Sequence, residues 1–198
     1  GDRYCCMDKI VMWLKIAVSC LPAMLIGLPL NDWLDKHFYN PTVVALMLLL
    51  YGAGFLFVER YNRSRKPRVN SIAALRWSDA LLIGVFQVLA LIPGPSRSGA
   101  TILGGILIGT SREVAAEYTF FLAVPVMFGA SLLKIVKFGA ISGTELGVLL
   151  VGMAVAFGVS ILAIRFLMGY IRKHDFTAFG WYRIGLGLLV LLYFYGIR

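Results

Sequence analysis

Apolar windows separated by short polar segments organise this chain: Ile10–Leu30, Pro41–Val58, Ala80–Ile92, Ala100–Thr110, Glu113–Lys134, Leu146–Met168 and Phe179–Tyr195. Most of them approach or exceed the roughly 17–25 residues a helix needs to cross a bilayer, whereas Ala80–Ile92 and Ala100–Thr110 fall short. Two short windows around one turn predict a re-entrant hairpin, a helix that enters, turns at membrane depth and leaves on the side it came from. Non-helical backbone survives at that depth only where protein or a wet cavity surrounds it. The predicted fold is therefore all-α and polytopic: five transmembrane helices plus one re-entrant helical hairpin (80–110), in a single membrane domain over residues 1–198. The polar remainder leaves no room for a soluble domain.

The polar positions set an orientation. Glu59–Asp79 carries Arg60, Arg63, Arg65, Lys66, Arg68 and Arg76, which predicts a cytoplasmic loop. With a re-entrant hairpin after it, Arg3, Lys9, Arg112, Arg172 and Lys173 fall on the same side, and only Lys36, Lys137 and Arg198 on the other. A faint internal repeat accompanies this. Ile10–Val58 and Leu146–Tyr195 are both helix, polar loop, helix, one starting inside and the other outside, as inverted copies would. Residues 10–58 then read as the last helix pair of a first repeat and 80–198 as a second. Inverted repeats place a site near the bilayer midplane, although two apolar hairpins also match by composition alone.

Composition sharpens the membrane reading. Of 198 residues, 60% are hydrophobic and 15% charged, against about 45–50% and 25% in soluble domains. A soluble domain of this size cannot bury so much apolar surface, and the mean hydropathy is +0.83. Disorder is excluded. The net charge of +9 and the pI near 9.7 would suit nucleic acid, but the cations sit in short loops between apolar runs, where they set topology, so no nucleic-acid partner is expected. Cys5, Cys6 and Cys20 form neither a disulfide framework nor a zinc site. Trp13, Trp33, Trp77 and Trp181 lie near span ends, as an interfacial aromatic belt requires.

The short windows are joined by Pro93-Gly94-Pro95-Ser96-Arg97-Ser98-Gly99-Ala100-Thr101. Pro93 and Pro95 end the incoming helix, and Gly94 and Gly99 let backbone approach a ligand. Ser98 is the expected N-cap of the outgoing helix. That helix would aim its free N–H groups and positive dipole end into the turn, an arrangement that binds anions. Arg97 adds a planar cation suited to phosphate oxygens, and Ser96, Ser98 and Thr101 add hydroxyls. A lone Arg at mid-membrane costs at least about 2.5–3.5 kcal/mol, so Arg97 requires an anionic ligand, a buried carboxylate or a route to the interface by snorkelling. Gly94-x4-Gly99-Ala100-Thr101 lacks the Lys and the preceding strand of a phosphate loop, and Gly52-Ala53-Gly54 lacks the third glycine of a dinucleotide site.

This nine-residue stretch resembles the signature of the undecaprenyl-diphosphate phosphatase family, the bacitracin-resistance proteins of bacterial inner membranes. The resemblance continues through Gln87-Val88-Leu89-Ala90, Ser111-Arg112, Ala116-Glu117 and Phe121-Leu122-Ala123-Val124-Pro125 and covers essentially the whole chain. It implies an inverted-repeat membrane protein that hydrolyses a polyprenyl diphosphate to the monophosphate, releases inorganic phosphate near the outer side, and recycles the carrier for peptidoglycan synthesis. It further implies that Arg97 binds the diphosphate with Ser96 beside it, that Thr101 contributes a hydroxyl, and that a divalent cation (Mg or Ca) takes part. Its ligands are not expected within this chain. The family's other motif, a Glu-rich re-entrant segment with a Ser-Ser-Thr-Gly-His run, has no match here, and the chain opens Gly1-Asp2. The expectation is that a segment carrying that motif precedes Gly1, that this chain is the C-terminal part of the inverted-repeat fold, and that residues 1–198 alone turn over little substrate.

Other candidates carry a structural reading beside the functional one. Glu113 and Glu117, at i and i+4, share a helix face; Glu113 suits a helix start, while Glu117 fits the family pattern of substrate-binding residues. Gln87 could bond a phosphate or serve as interhelical glue. His37 and His174 suit interface positions, which argues against a lipid phosphatase built on two catalytic histidines. Gly104-Gly105, Gly152/Ala156 and Gly185/Gly187 suit close helix packing. A homo-oligomer is compatible with the pattern. The other functional reading is an anion or lipid-phosphate transporter that binds phosphate at the same turn and releases it unchanged; a purely structural subunit leaves Arg97 unexplained.

Overall fold

The computed structural model describes residues 2–138 and 142–196. Its helices are α1 (Asp2–Phe38), α2 (Pro41–Asn62), α3 (Trp77–Val88), α4 (Arg97–Leu107), α5 (Arg112–Phe138), α6 (Gly143–Ile171) and α7 (Thr177–Gly196). Arg198 lies outside the described residues, as do the side chains of Arg3, Cys5, Cys6 and Lys137. Local sequence fixes the helix starts. Asn40 caps α2 by accepting from Val43 N at 2.9 Å, with Pro41 at the first helical position. Ser142 and Glu145 form a reciprocal capping box on α6, Ser142 N donating to Glu145 Oε2 at 2.8 Å.

Five of these helices are long and apolar enough to cross a membrane, over Met7–Leu30, Pro41–Asn62, Arg112–Val136, Gly143–Ile171 and Thr177–Gly196. The apolar stretch of α6 buries nothing inside the protein, and Val148, Phe157, Leu162 and Phe166 stand bare. Apolar patches on soluble monomers rarely exceed a few hundred Å², so this face belongs in lipid. The chain is an all-α polytopic membrane protein.

Inside, α1, α3 and α5 meet around Ile16, Ile83, Tyr118 and Leu122, and α2, α4 and α5 around Phe55, Val58, Ile102, Ile106 and Ala116. Several polar groups within this interior have hydrogen-bond partners. Ser19 Oγ donates to Ala80 O at 2.6 Å and lies 2.7 Å from Tyr118 Oη, and Lys15 Nζ donates to Leu75 O at 2.6 Å. α2 and α7 cross on small residues. A Cβ at Gly52 would meet Gly180 O at 2.8 Å, and one at Gly187 would meet Ala45 O at 3.0 Å. The packing role expected of Gly152 and Gly185 is not found, since nothing among the described residues comes within 4 Å of a Cβ at either.

The short windows do form a hairpin, α3 and α4. At 11 residues, α4 is about 16 Å long, half of the roughly 30 Å hydrocarbon layer. Around the turn stand α2, with Val44 and Met47 against Gly94, and α5, with Met127 against Arg97, the protein surroundings that non-helical backbone within a membrane needs. The hairpin is anchored at the other end of α4, where Arg68 N and Val69 N donate to Gly109 O at 2.8 and 3.1 Å and Ser111 N donates to Val69 O at 2.8 Å. That end also gathers Arg60–Arg68, Arg112 and Arg172 and is called the basic end below.

Candidate active site

The incoming helix stops earlier than the prolines require. α3 ends at Val88, tightens into one 3₁₀ turn over Leu89–Leu91, and reaches Ile92 in an extended conformation with ψ 130°, the conformation a residue before proline adopts. Gly94 then takes φ +121°, and a Cβ there would lie 2.8 Å from Met47 Cβ and 3.0 Å from Val44 O. Only glycine satisfies both the angle and the contact. Ser96 follows with φ +65° and ψ +137°, the one non-glycine residue with positive φ among the described residues. Such a backbone costs of order 1–3 kcal/mol and persists only where its surroundings hold it.

The expected cap is corrected. Ser96, not Ser98, is the N-cap of α4, its Oγ accepting from Gly99 N at 3.4 Å. Ser98 Oγ instead lies 3.0 Å from Ser96 Oγ. The difference follows from the strained backbone at Ser96, which turns the chain two residues earlier and starts the helix at Arg97. The N–H groups of Arg97 and Ser98 open the helix and have no intrahelical acceptor, and the dipole of α4 adds positive potential there.

Arg97 projects from this first position, exposed, with its guanidinium against Met127 Sδ. A thioether is a weak acceptor with no charge. Among the described residues no carboxylate pairs with Arg97, so pairing with a buried acid is not how its charge is accommodated. A second guanidinium braces the turn from behind. Arg183 of α7 donates through Nη1 to Pro95 O at 2.5 Å, and its Cζ lies 5.1 Å from the Phe55 ring centroid. A Cβ at Gly99 would fall 2.5 Å from Arg183 Nη2 and 2.7 Å from Nη1, so glycine there makes room for a cation of the protein's own. The sequence signal for Arg183 was available and is the one that picks out Arg97, a lone Arg inside an apolar run.

The remaining candidates scatter. Thr101 is corrected: its hydroxyl does not face the turn. It is 1% exposed; Oγ1 donates to Arg97 O at 2.9 Å and accepts from Thr119 Oγ1 at 2.9 Å, tying α4 to α5. Gln87, 4% exposed, leaves Nε2 without a partner among the described residues, so it does not act as glue through that group. Glu117 is exposed and not at the turn, since Met127 is ten residues further along α5, about 15 Å at the helical rise. Glu113 pairs with Arg172 Nε at 2.9 Å at the basic end. His37 stacks on Trp33 with centroids 4.6 Å apart and His174 on Tyr170 at 4.4 Å, both remote from the turn.

Divalent cations take carboxylate and carbonyl oxygens. The side chains gathered at the turn are guanidinium and hydroxyl groups, and no cluster of three His, Cys, Asp or Glu side chains occurs among the described residues. The donor set therefore does not fit a divalent cation, and no step is derived through one. What the turn can do is hold an anion: it carries a guanidinium without a carboxylate partner among the described residues, helix-opening N–H groups and two hydroxyls within three consecutive residues.

Fold and turn together define a polytopic helical membrane protein with a cationic, glycine- and proline-shaped hairpin tip embedded among its helices. The family model described as "Bacitracin resistance protein BacA" matches residues 3–189, and the chain belongs to that family. It is 59% identical over 192 residues to the undecaprenyl-diphosphatase of Acetivibrio thermocellus, covering 96% of this chain and 71% of the relative. It is 57% identical over 189 residues to the undecaprenyl-diphosphatase of Desulfitobacterium hafniense, covering 94% and 68%. With undecaprenyl-diphosphatase 1 of Clostridium acetobutylicum it shares 55% over 196 residues, covering 98% and 72%.

Proposed function

We propose that this chain binds the diphosphate of undecaprenyl diphosphate at the Pro93–Thr101 turn and takes part in hydrolysing it to undecaprenyl phosphate and inorganic phosphate. The observation that carries the reading is Arg97, a cation at the tip of the hairpin, set at a helix N-terminus and lacking a carboxylate partner among the described residues. Relatives named undecaprenyl-diphosphatase at 55–59% identity support the substrate and the reaction.

In the reaction an oxygen from water bonds to the terminal phosphorus. The bond from that phosphorus to the bridging oxygen breaks, and its electron pair leaves on undecaprenyl phosphate. Negative charge is spread over the equatorial oxygens and grows on the bridging oxygen, so positioned donors do most of the work. Arg97 offers two parallel N–H groups to these oxygens, and the Arg97 and Ser98 backbone N–H groups add fixed donors. Arg183 holds the Pro95 carbonyl back, so that the donors and not this acceptor face the phosphate. The polyprenyl tail lies along the lipid-facing helices. We place the turn towards the outer leaflet of a bacterial inner membrane, because Gly94 packs against Val44 and Met47, within the first two turns of α2 at the end away from the basic loop.

The test is phosphate release from undecaprenyl diphosphate by the purified gene product that contains this chain, in detergent. Arg97→Gln is expected to lower kcat/KM by about 10²–10³-fold, the loss seen when one fixed donor to a developing oxyanion is removed. Arg97→Lys keeps the charge but not the fork and is expected to recover part of it. Activity of Arg97→Gln within threefold of the unmodified protein overturns the assignment. Lipid diphosphate bound but returned intact, with no phosphate released, selects the transporter reading.

A further inference from the structure

A second cationic feature lies at the basic end, about one α4 length, or 16 Å, from the turn. The loop after α2, the end of α4, the start of α5 and the end of α6 form an open cavity of about 530 Å³ lined by Arg65, Lys66, Arg68, Arg112 and Arg172. Three of these cations have acids. Arg68 pairs with Asp79 at 2.6 Å, Arg172 with Glu113 at 2.9 Å, and Arg112 with the buried Glu59, which also accepts from Phe176 N at 3.1 Å. Arg65 and Lys66 have no acid partner among the described residues. The Arg65 guanidinium is parked 4.0 Å from the Tyr61 ring centroid. The cavity therefore carries an excess of positive charge.

It is also preformed. The bonds from Arg68 N, Val69 N and Ser111 N fasten the basic loop to the α4–α5 connection. The 27-residue α5 begins at Arg112 and points its positive dipole end at the cavity. Thr110, also in the lining, keeps a buried hydroxyl without a partner among the described residues, while Ile108 and Ile171 give an apolar flank. Volumes of 300–1,000 Å³ suit drug-sized ligands, which is more than inorganic phosphate fills. The position is where several spans leave the hydrocarbon, so an acyl chain can run down the apolar flank while its headgroup stays among the cations.

We propose that this cavity binds the phosphate-bearing headgroup of an anionic lipid in the leaflet at the basic end, separately from the hairpin turn. The shared chemistry with free phosphate is a phosphate oxyanion, and the experiment separates the two sources. The gene product containing this chain is placed in phosphatidylcholine nanodiscs doped with phosphatidylglycerol, and bound phosphatidylglycerol is counted by native mass spectrometry across a titration. Arg65→Ala/Lys66→Ala is expected to weaken retention at least about 100-fold, since each charge-assisted contact to a phosphate oxygen is worth about tenfold or more. Arg60→Ala/Arg63→Ala removes equal charge from the end of α2, outside the cavity, and is expected to weaken it at most about 25-fold, the roughly fivefold per cation of the surface potential alone. Equal losses in both double variants, or no loss in either, overturn the proposal. So does displacement of phosphatidylglycerol by millimolar inorganic phosphate together with an equal melting shift from phosphate alone, which assigns the cavity to the free ion. Neither pair of residues touches the turn, and both variants are expected to keep full phosphate release, which separates this result from any failure of the catalytic assignment.

Discussion

Gly99→Ala tests whether Arg183 shapes the turn. The added Cβ would lie 2.5, 2.7 and 3.0 Å from Arg183 Nη2, Nη1 and Cζ, distances no real methyl group keeps. Something must move, and the backbone of α4 is held by its cap and by the Thr101–Thr119 bond. The guanidinium is the free end of a flexible side chain, so it gives way and forfeits its bond to Pro95 O. A hydrogen bond from a charged donor contributes about 1.5–3 kcal/mol. Its loss releases the Pro95 carbonyl next to the strained Ser96. A shift of about 1 Å in groups that position a reacting centre can lower turnover about 10²-fold.

The double-mutant cycle makes this decisive. Arg183→Ala alone removes the brace and is expected to lower kcat about 10²-fold. If Gly99 matters only because Arg183 occupies the space, Gly99→Ala in the Arg183→Ala background meets no guanidinium and adds little further loss. Alanine is a better helix former than glycine by about 0.8–1 kcal/mol, so the double variant is expected to melt higher than Arg183→Ala. Phosphate release and melting temperature of all four proteins are measured side by side. Losses that multiply to about 10⁴-fold in the double variant, or a Gly99→Ala protein with full activity, refute the steric argument.

Three further outcomes follow from the same geometry. Ser96→Gly exchanges a cap for a residue at ease with φ +65°; capping loss is a few tenths of a kcal/mol for glycine and strain relief of order 1 kcal/mol, so melting is expected to be unchanged or raised while phosphate release falls at least about tenfold, and unchanged release removes Ser96 from the site. Thr101→Val leaves Thr119 without its acceptor and is expected to cost about 1–3 kcal/mol of stability with turnover within fivefold; a 10²-fold slower enzyme of normal stability would return Thr101 to catalysis. Arg112→Met removes the cation from Glu59, which is 4% exposed, and is expected to cost about 1–3 kcal/mol, most of it regained in Glu59→Gln/Arg112→Met; a single variant that melts normally contradicts the ion-pair reading.

Hydropathy made most of the fold legible, because span length and the positive loop are one-dimensional properties. The two short windows around Pro93–Thr101 announced the hairpin for the same reason. What one dimension hides is which residue of a polar cluster turns where. Ser96 and Ser98 are equivalent as capping letters, and only the positive φ at Ser96 decides between them. Thr101 sits three residues from the nearest proposed ligand, Ser98, in sequence but on the α5 side of its helix, where Thr119 claims it. Gly52, Gly187, Gly152 and Gly185 look alike in sequence; the first two meet neighbouring helices and the last two do not. Glu59 passed unremarked because Arg112 lies 53 residues along the chain, and Asp79 because the loop that brings Arg68 to it has no sequence period.

The distribution of counter-ions is the strongest argument for where the chemistry sits. At the basic end, near water, Arg68, Arg112 and Arg172 each have a carboxylate, and two of those carboxylates are buried. Charges there could have been left to solvent at little cost. At the hairpin tip, beside the spans of α2 and α5, Arg97 and Arg183 have only a thioether, a carbonyl and an aromatic face among the described residues. Stability alone would favour the reverse arrangement. A protein that pairs three cations at its basic end and neither of those at the hairpin tip has the arrangement that the proposed diphosphate site requires, and a lipid diphosphate would bring negative charge there on an apolar tail that the surrounding helices can accept. Binding the anion then recovers the cost of the bare guanidinium, so the stability of the protein is expected to rise with lipid diphosphate occupancy, an increase that Arg97→Gln abolishes.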